Sequence, residues 1–156
     1  MSVRIIIADG QPLQRIDLKD VLTRPGYQVV GEAVDGSGVI AMSRLLRPDL
    51  VIMDSHMPDM DGILAAETLV REKIAPVIFL TAYTDQALVK RARDIGVSNY
   101  LVKPLHESEV IPAVEMALSH HRQMYAMEEQ IRLLSAQLET HMIVERYRGT
   151  VVEQRG

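Results

Sequence analysis

Asp9, Asp54, Thr81 and Lys103 are the residues of this sequence that could carry phosphoryl chemistry together. An ionised aspartate can attack phosphorus as an oxygen nucleophile. A second acid beside it can help hold a hard divalent cation through oxygen ligands. A threonine hydroxyl can donate to a phosphoryl oxygen, and a lysine ammonium brings a compact positive charge to the same group. A bound cation would offset the repulsion between an incoming phosphate and the carboxylates. Taken singly, each residue has a plainer explanation. An Asp after a strand usually caps a turn or a helix, a Lys before Pro is usually solvated, and a Thr can simply end a strand. Only a shared location makes them a site, so the elements that carry them decide the matter.

Residues 3–8 form a β-branched run closed by Asp9-Gly10, which predicts a first strand. Pro12 suits the first turn of a helix, and Leu13, Ile16, Leu18, Val21 and Leu22 follow at helical spacing until Pro25-Gly26. A second strand is predicted over 27–34, a turn at Asp35-Gly36-Ser37-Gly38, and a short helix over 39–46 that stops before Pro48. The apolar run at 50–53 predicts a third strand that delivers Asp54. Asp61-Gly62 opens a helix carrying Ile63, Leu64, Ala66, Leu69 and Val70. Pro76 begins a fourth strand at 77–80, which delivers Thr81. Thr84-Asp85 reads as the start of a helix that runs to about Ile95, before Gly96. A fifth strand over 98–102 delivers Lys103, and Pro104 breaks the chain before a helix that starts near Glu107.

Five β-α units in succession, with short and nearly all-apolar strands, predict an all-parallel sheet covered on both faces. The connections should be right-handed. The expected fold is therefore α/β, a doubly wound five-stranded sheet of order 2-1-3-4-5. In that order strands one, three, four and five are neighbours. Asp9, Asp54, Thr81 and Lys103 should then converge on the carboxyl edge of the sheet, where open α/β sheets place their reactive groups.

The last helix should run on well beyond a compact domain. Past Glu107 there is one proline, Pro112, and no glycine until Gly149. Met124, Met127, Ile131, Leu134, Leu138 and Met142 step by three or four residues, a heptad-like seam with His120 and His141 beside it. About 40 residues at ~1.5 Å each would span ~60 Å. A helix with one apolar stripe needs a partner surface. The simplest is a second copy, giving a homodimeric coiled coil; the alternative is an amphipathic helix folded back on its own domain. The chain is accordingly divided into a globular domain at 1–118 and an extended helix at 119–156.

Aromatic residues make up 4% of the chain, so the core must be built from Val, Ile, Leu, Ala and Met. The net charge of −4 rules out a general nucleic-acid-binding charge. Without cysteine there is neither a disulfide framework nor a thiolate metal site, which fits a reducing cytoplasm. The amino end passes straight into a strand pattern with no signal-peptide region. No apolar stretch reaches the ~18 residues of a membrane span. A cytoplasmic protein with no membrane partner is expected.

Five motifs now stand in order: Ile-Ile-Ile-Ala-Asp at 5–9, Pro-Asp-Leu-Val-Ile-Met-Asp at 48–54, Met-Pro-Asp-Met-Asp-Gly at 57–62, Leu-Thr-Ala at 80–82 and Tyr-Leu-Val-Lys-Pro at 100–104. With them the chain resembles the receiver domain of bacterial two-component response regulators over roughly residues 2–118. The resemblance implies that Asp54 is the phosphoacceptor, Lys103 the invariant-type lysine, Thr81 the switch hydroxyl and Tyr100 the rotating aromatic of the fifth strand. It implies Mg²⁺ held by Asp9, Asp54 and the backbone carbonyl of His56, and a sensor histidine kinase as phosphoryl donor. Phosphorylation would draw Thr81 inward and let Tyr100 turn in, reshaping the face of helix four, strand five and helix five. The His56 side chain is expected to face solvent. Tyr83 could line the same face as Thr81.

One position departs from the pattern. Receivers usually carry two acids after the first strand, and here Gly10 fills the second place, whose acid touches the metal directly in the family. Water can substitute, since Mg²⁺ usually keeps several waters, but one negative charge is gone. Weak metal binding and slow or absent phosphotransfer are expected. The readings left open are a working receiver with a poor metal site, a degenerate receiver controlled by something other than phosphate, and an altered position.

Residues about 119–156 resemble the start of an ANTAR domain, the RNA-binding antiterminator module of the AmiR/NasR type. The stretch runs from Leu134 through Leu138 and Glu139 to Ile143-Val144-Glu145-Arg146-Tyr147-Arg148-Gly149, with Tyr147 where the pattern has Ala and Arg148 where it has Lys. The family form continues into further helices that this sequence does not contain, so the segment is read as shortened, by nature or by truncation. From Ser119 onward five Arg face five Glu, a net of zero. RNA affinity depends on neutralising phosphates, and no platform of exposed aromatics is visible, so RNA is a doubtful partner for this chain. The reading adopted is a non-enzymatic signalling regulator that dimerises through its last helix, with transcription antitermination on RNA as the alternative. A phosphohydrolase using Asp54 is disfavoured, because His56 stands where a second acid would be needed.

Overall fold

A computed structural model describes residues 2–82 and 86–155, with side chains through residue 146. The helix start expected at Thr84-Asp85, and Tyr83, lie outside the described residues. The elements alternate throughout: β1(Arg4–Ala8), α1(Pro12–Thr23), β2(Gln28–Ala33), α2(Gly36–Leu46), β3(Leu50–Asp54), α3(Gly62–Arg71), β4(Val77–Thr81), α4(Gln86–Ile95), β5(Asn99–Val102) and α5(Glu107–Arg155). The strands form one five-stranded parallel sheet in the order β2-β1-β3-β4-β5. This is the expected doubly wound architecture. It follows from strands that are apolar on both faces and so need helices on both.

The period-two alternation splits the core into two layers. Ile6, Val51, Met53, Val77 and Phe79 point to the side packed by Val39 of α2, Ile63, Ala66 and Leu69 of α3 and Ala92 of α4. Ile5, Ile7, Leu50, Ile52, Ile78 and Leu80 point to the other side, packed by Leu18 and Leu22 of α1 and by Val110, Ala113, Val114 and Ala117 of α5. Each such aliphatic side chain, once fully buried, stabilises by roughly 1.5–3 kcal/mol. The three central strands of Ile, Val, Leu and Met therefore dominate the stability of this part and hold the strand ends rigid.

Several local expectations are corrected. The segment read as a turn at 35–38 is the start of α2, which begins at Gly36. Asp35 caps it, its Oδ1 accepting from Gly38 N at 2.7 Å. Gly and Ser are poor helix formers, and the helix starts there because carboxylates satisfy its first amides. Asp54 belongs to β3 itself rather than following it. In α1 the helical spacing holds, but Leu13 is 75% and Ile16 60% exposed, so the helix buries the narrower stripe of Leu18 and Leu22. Leu64 of α3 likewise faces outward. The last helix extends past Gly149 to Arg155, with Pro112 inside it one turn from its start, at the cost of the amide bond that residue would otherwise make.

The chain comprises two compact units, Met1–His121 and Arg122–Gly156. In the second unit Met124, Met127, Ile131, Leu134, Leu138 and Met142 are all exposed. So are Tyr125, Leu133, Ile143 and Val144, so the apolar side chains extend beyond the single predicted seam. Among the described residues no helix is long and apolar enough to cross a membrane.

Candidate functional site

Strand register brings the candidate residues to one edge. Ala8 pairs with Met53, which leaves Asp9 beside Asp54, and Asp54 pairs with Leu80, one residue before Thr81. Thr81 pairs with Val102, one residue before Lys103, and the Lys103 amide donates to the Thr81 carbonyl at 2.7 Å. Because the sheet is parallel, all these strands end at the same side, and their side chains meet without any loop having to carry them.

The Lys103 ammonium stands between the two acids. Its Nζ donates to Asp54 Oδ2 at 2.6 Å and to Asp9 Oδ2 at 3.0 Å. The other oxygen of each carboxylate is also engaged: Asp54 Oδ1 accepts from the His56 amide at 2.9 Å, and Asp9 Oδ1 accepts from the Gln11 amide at 2.9 Å. Arg15 adds a bond from its guanidinium to the Asp9 carbonyl at 2.6 Å. The lysine and Asp54 side chains are each 14% exposed, and that of Asp9 3%. Burial is the largest single influence on Lys103 and pulls its amine down. The hydrogen bonds and charges of Asp54 and Asp9 together outweigh it, and the amine ends above its ordinary value. The lysine is thus held in its protonated form between the two acids.

A cavity of about 550 Å³ opens onto this trio, lined by Asp9, Gly10, Gln11, Asp54, His56, Met57, Pro58, Ala82 and Lys103. Thr81 is buried and does not line it; its neighbour Ala82 does. The His56 side chain is exposed, as expected, while its backbone is fixed by Asp54 and by a bridge to Asp61. Tyr100 is 40% exposed on β5, on the face opposite Leu101, and does not line the cavity over the trio. The structure therefore brings together Asp9, Asp54 and Lys103, and keeps Thr81 and Tyr100 on adjoining strands.

Gly62 explains how the loop after β3 stays tight. A Cβ there would lie 2.6 Å from the Ser55 carbonyl and 2.7 Å from that of Asp54, and the Gly62 amide itself bonds to Ser55 O at 3.1 Å. Only glycine lets α3 begin that close to the strand end. Asp61 caps α3 through Ile63 N at 2.9 Å and meets Arg91 of α4 at 3.4 Å.

Among the described residues no group of three or more His, Cys, Asp or Glu could hold a metal ion. Two carboxylates converge, because Gly10 supplies no third. An all-oxygen set of this size still suits Mg²⁺, which takes one or two carboxylates and keeps waters. Gly10 is not demanded by the backbone. Its φ is not in the left-handed region, and a Cβ there would meet Pro58 Cγ at an ordinary 3.5 Å.

The sequence reading overlooked Asp59. Its carboxylate reaches across to the first turn of α2, accepting from Gly36 N at 2.6 Å, Ser37 N at 3.0 Å and Ser37 Oγ at 2.6 Å. No local signal reports a contact between loops more than twenty residues apart; the one available hint was a glycine-serine pair opening a helix with an acid-rich loop elsewhere.

Comparison with known proteins agrees with this geometry. The family model for the response regulator receiver domain matches residues 5–115. The transcriptional regulatory protein PdtaR of Mycobacterium tuberculosis is 45% identical over 153 residues, which is 98% of this chain and 75% of that protein, so the likeness continues into the C-terminal helix. A two-component response regulator of the LuxR family from Aurantimonas has a solved structure with TM-score 0.72 and 30% identity, covering 77% of this chain and 87% of that one. The CheX-CheY-BeF3-Mg²⁺ complex from Borrelia burgdorferi contains a chain that matches with TM-score 0.68 and 28% identity, covering 72% and 86%. A parallel sheet of order 2-1-3-4-5, the acids and lysine gathered at its carboxyl edge and a family match through residue 115 lead to one conclusion: this chain belongs to the two-component response regulators and carries their receiver domain.

Proposed function

We propose that this receiver accepts a phosphoryl group on Asp54 from a sensor histidine kinase and passes the change to its C-terminal helix, through which two copies pair. The observation that carries the reading is the Lys103 ammonium bonded at once to Asp54 and Asp9. It holds the acceptor carboxylate in one orientation and leaves positive charge where the transferred group arrives. In the transfer, a carboxylate oxygen of Asp54 forms the new bond to phosphorus. The phosphorus–nitrogen bond of the donor phosphohistidine breaks, and its electron pair stays on the imidazole. Lys103 then balances the charge of the added oxygens. Asp9, Asp54 and the His56 carbonyl would hold Mg²⁺, which when bound neutralises charge on the incoming phosphoryl group. The solved CheY relative with beryllofluoride and Mg²⁺ supports that assignment.

In this reading Thr81 moves from its buried place toward the phosphoryl oxygen, and the exposed Tyr100 turns inward. The receiver part is taken as 1–118 and the output helix as 119–156, in a cytoplasmic protein. The exposed seam of Met124, Met127, Ile131, Leu134 and Leu138 supports the homodimer. The ANTAR-like stretch, and 45% identity with a transcriptional regulatory protein along nearly the whole chain, support an output in transcription, with RNA as its alternative partner.

The test is incubation with Mg²⁺ and either acetyl phosphate or beryllofluoride, read by intact mass and fluorine NMR. An adduct on the wild type that vanishes in Asp54→Asn supports the assignment, and none on the wild type removes it. A second reading, a receiver controlled without phosphate, is favoured by one feature: both acids are already neutralised in part by Lys103, and Gly10 offers no third carboxylate. A filter-binding titration with a paired-hairpin RNA separates the outputs, since salt-sensitive, hairpin-selective binding would favour antitermination.

A further inference from the structure

The loop between β3 and α3 supplies His56, Met57 and Pro58 to the rim of the cavity over Asp54. Its ends are well held. At one end Asp54 fixes the His56 amide, and at the other Gly62 packs against the strand end. In its middle, Met57 is buried in the core layer that holds Met53 of β3 and Ile63 of α3, and Met60 packs against the same layer, while Pro58 and Asp59 stay exposed. The polar tie of this exposed stretch is the Asp59 carboxylate, whose two oxygens take the Gly36 amide at 2.6 Å, the Ser37 amide at 3.0 Å and the Ser37 hydroxyl at 2.6 Å.

We propose that Asp59 is a positioning residue, latching the β3–α3 loop onto the first turn of α2 so that His56 and Pro58 stay at the mouth of the phosphoacceptor pocket. The consequence for phosphoryl transfer rests on the function proposed above; the latch itself does not.

Several observations converge on this role. The first amides of a helix have no partner inside it, and Asp35 on α2's own approach satisfies Gly38, leaving Gly36 and Ser37 to an acid from another loop. A carboxylate there also meets the positive end of the helix dipole. Gly36 lacks a side chain where one is not tolerated, because a Cβ would run into Met60, the residue next to Asp59. The Ser37 hydroxyl bond is the largest influence on the Asp59 carboxyl. With the Ser37 and Gly36 amides it outweighs the opposing effect of burial and keeps the group ionised below its usual range. Finally, the rim that this loop forms lies over the place of the missing acid, since Pro58 stands 3.5 Å from where a Gly10 Cβ would be. A site short of one carboxylate depends more on the groups that remain, and the His56 carbonyl among them is only as well placed as its loop.

The test uses the full chain with Asp59→Ala, Asp59→Asn and Ser37→Ala. Amide hydrogen exchange is the first readout. In Asp59→Ala, protection at His56, Gly36 and Ser37 should fall by about tenfold or more, the scale of a lost charge-assisted bond, while protection in β1, β3 and β4 stays unchanged. Asp59→Asn keeps an acceptor oxygen and should recover much of it, and Ser37→Ala should fall between. Beryllofluoride titration with Mg²⁺ is the second readout. Adduct formation in Asp59→Ala should need about tenfold more Mg²⁺, the usual cost of removing a residue that positions a metal ligand. Unchanged exchange at His56 and Gly36 in Asp59→Ala overturns the latch. Should that variant fail to fold, Ser37→Ala with wild-type exchange overturns it equally. Lost protection with an unchanged Mg²⁺ requirement overturns the claim that the latch serves the pocket. A wild type that forms no adduct defeats the phosphoacceptor reading instead, and the exchange arm still decides the latch.

Discussion

The two units of this chain use the same apolar vocabulary in opposite ways. In the first, Ile5, Ile52, Phe79 and Leu80 are buried against partners within the chain. In the second, every described apolar side chain from Met124 to Val144 is exposed. Nothing in residue type separates a buried Leu69 from an exposed Leu134. The difference is that five strands and their helices close around each other, whereas a lone helix can bury only one face, and only against another surface. A helix gets most of its stability from such packing rather than from propensity. The first unit buries its apolar side chains within itself, and those described in the second stay exposed.

That contrast can be broken most forcefully at the core. Phe79→Ala should lower the stability of the first unit by about 3–5 kcal/mol, read as an earlier midpoint in urea denaturation. A much smaller loss would mean that the sheet core is less closed than its burial indicates.

Next in size is the lysine at the edge of that core. Lys103→Met leaves Asp9 and Asp54 side by side without their cation and should cost on the order of 1–3 kcal/mol at neutral pH. The sign with pH follows from the direction of the shift. The folded-state amine is raised, so its contribution is fully present below the unfolded-state value and is lost as pH rises through the folded one. Wild type should therefore lose stability at strongly alkaline pH by an amount that Lys103→Met lacks. Parallel curves for the two proteins there would contradict the pairing.

For the second unit, if two copies pair as proposed, Leu134→Asp should give a monomer by light scattering while changing the stability of the first unit by no more than about 0.5 kcal/mol. A variant that stays dimeric would place the contact elsewhere. The smallest effect is expected at Gly10→Asp. The added Cβ fits, and the restored acid should tighten Mg²⁺ binding about tenfold, equivalent to ~1.4 kcal/mol. Magnesium titration followed by amide chemical shifts reads it, and no change would mean that the lost charge is not what limits the metal.

The sequence alone determined the order of elements, the strand order and the convergence of Asp9, Asp54 and Lys103. These rest on periodicity, turn residues and the geometry of parallel strands, all carried by neighbours along the chain. The same rules predict a seam from Met124 to Leu138, and those side chains are exposed. Tertiary structure alone decided three things. It chose which stripe of α1 is covered, leaving Leu13 and Ile16 outside, because the width of the available groove is set by β1, β3 and α5 rather than by the helix. It let α2 start as early as Gly36, because beside the local cap Asp35 an acid from a distant loop takes the amides of Gly36 and Ser37. And it seated Asp59 on that cap. A period in sequence reports which face of an element is apolar; it carries no record of which loops will cross, since that depends on how whole elements stack.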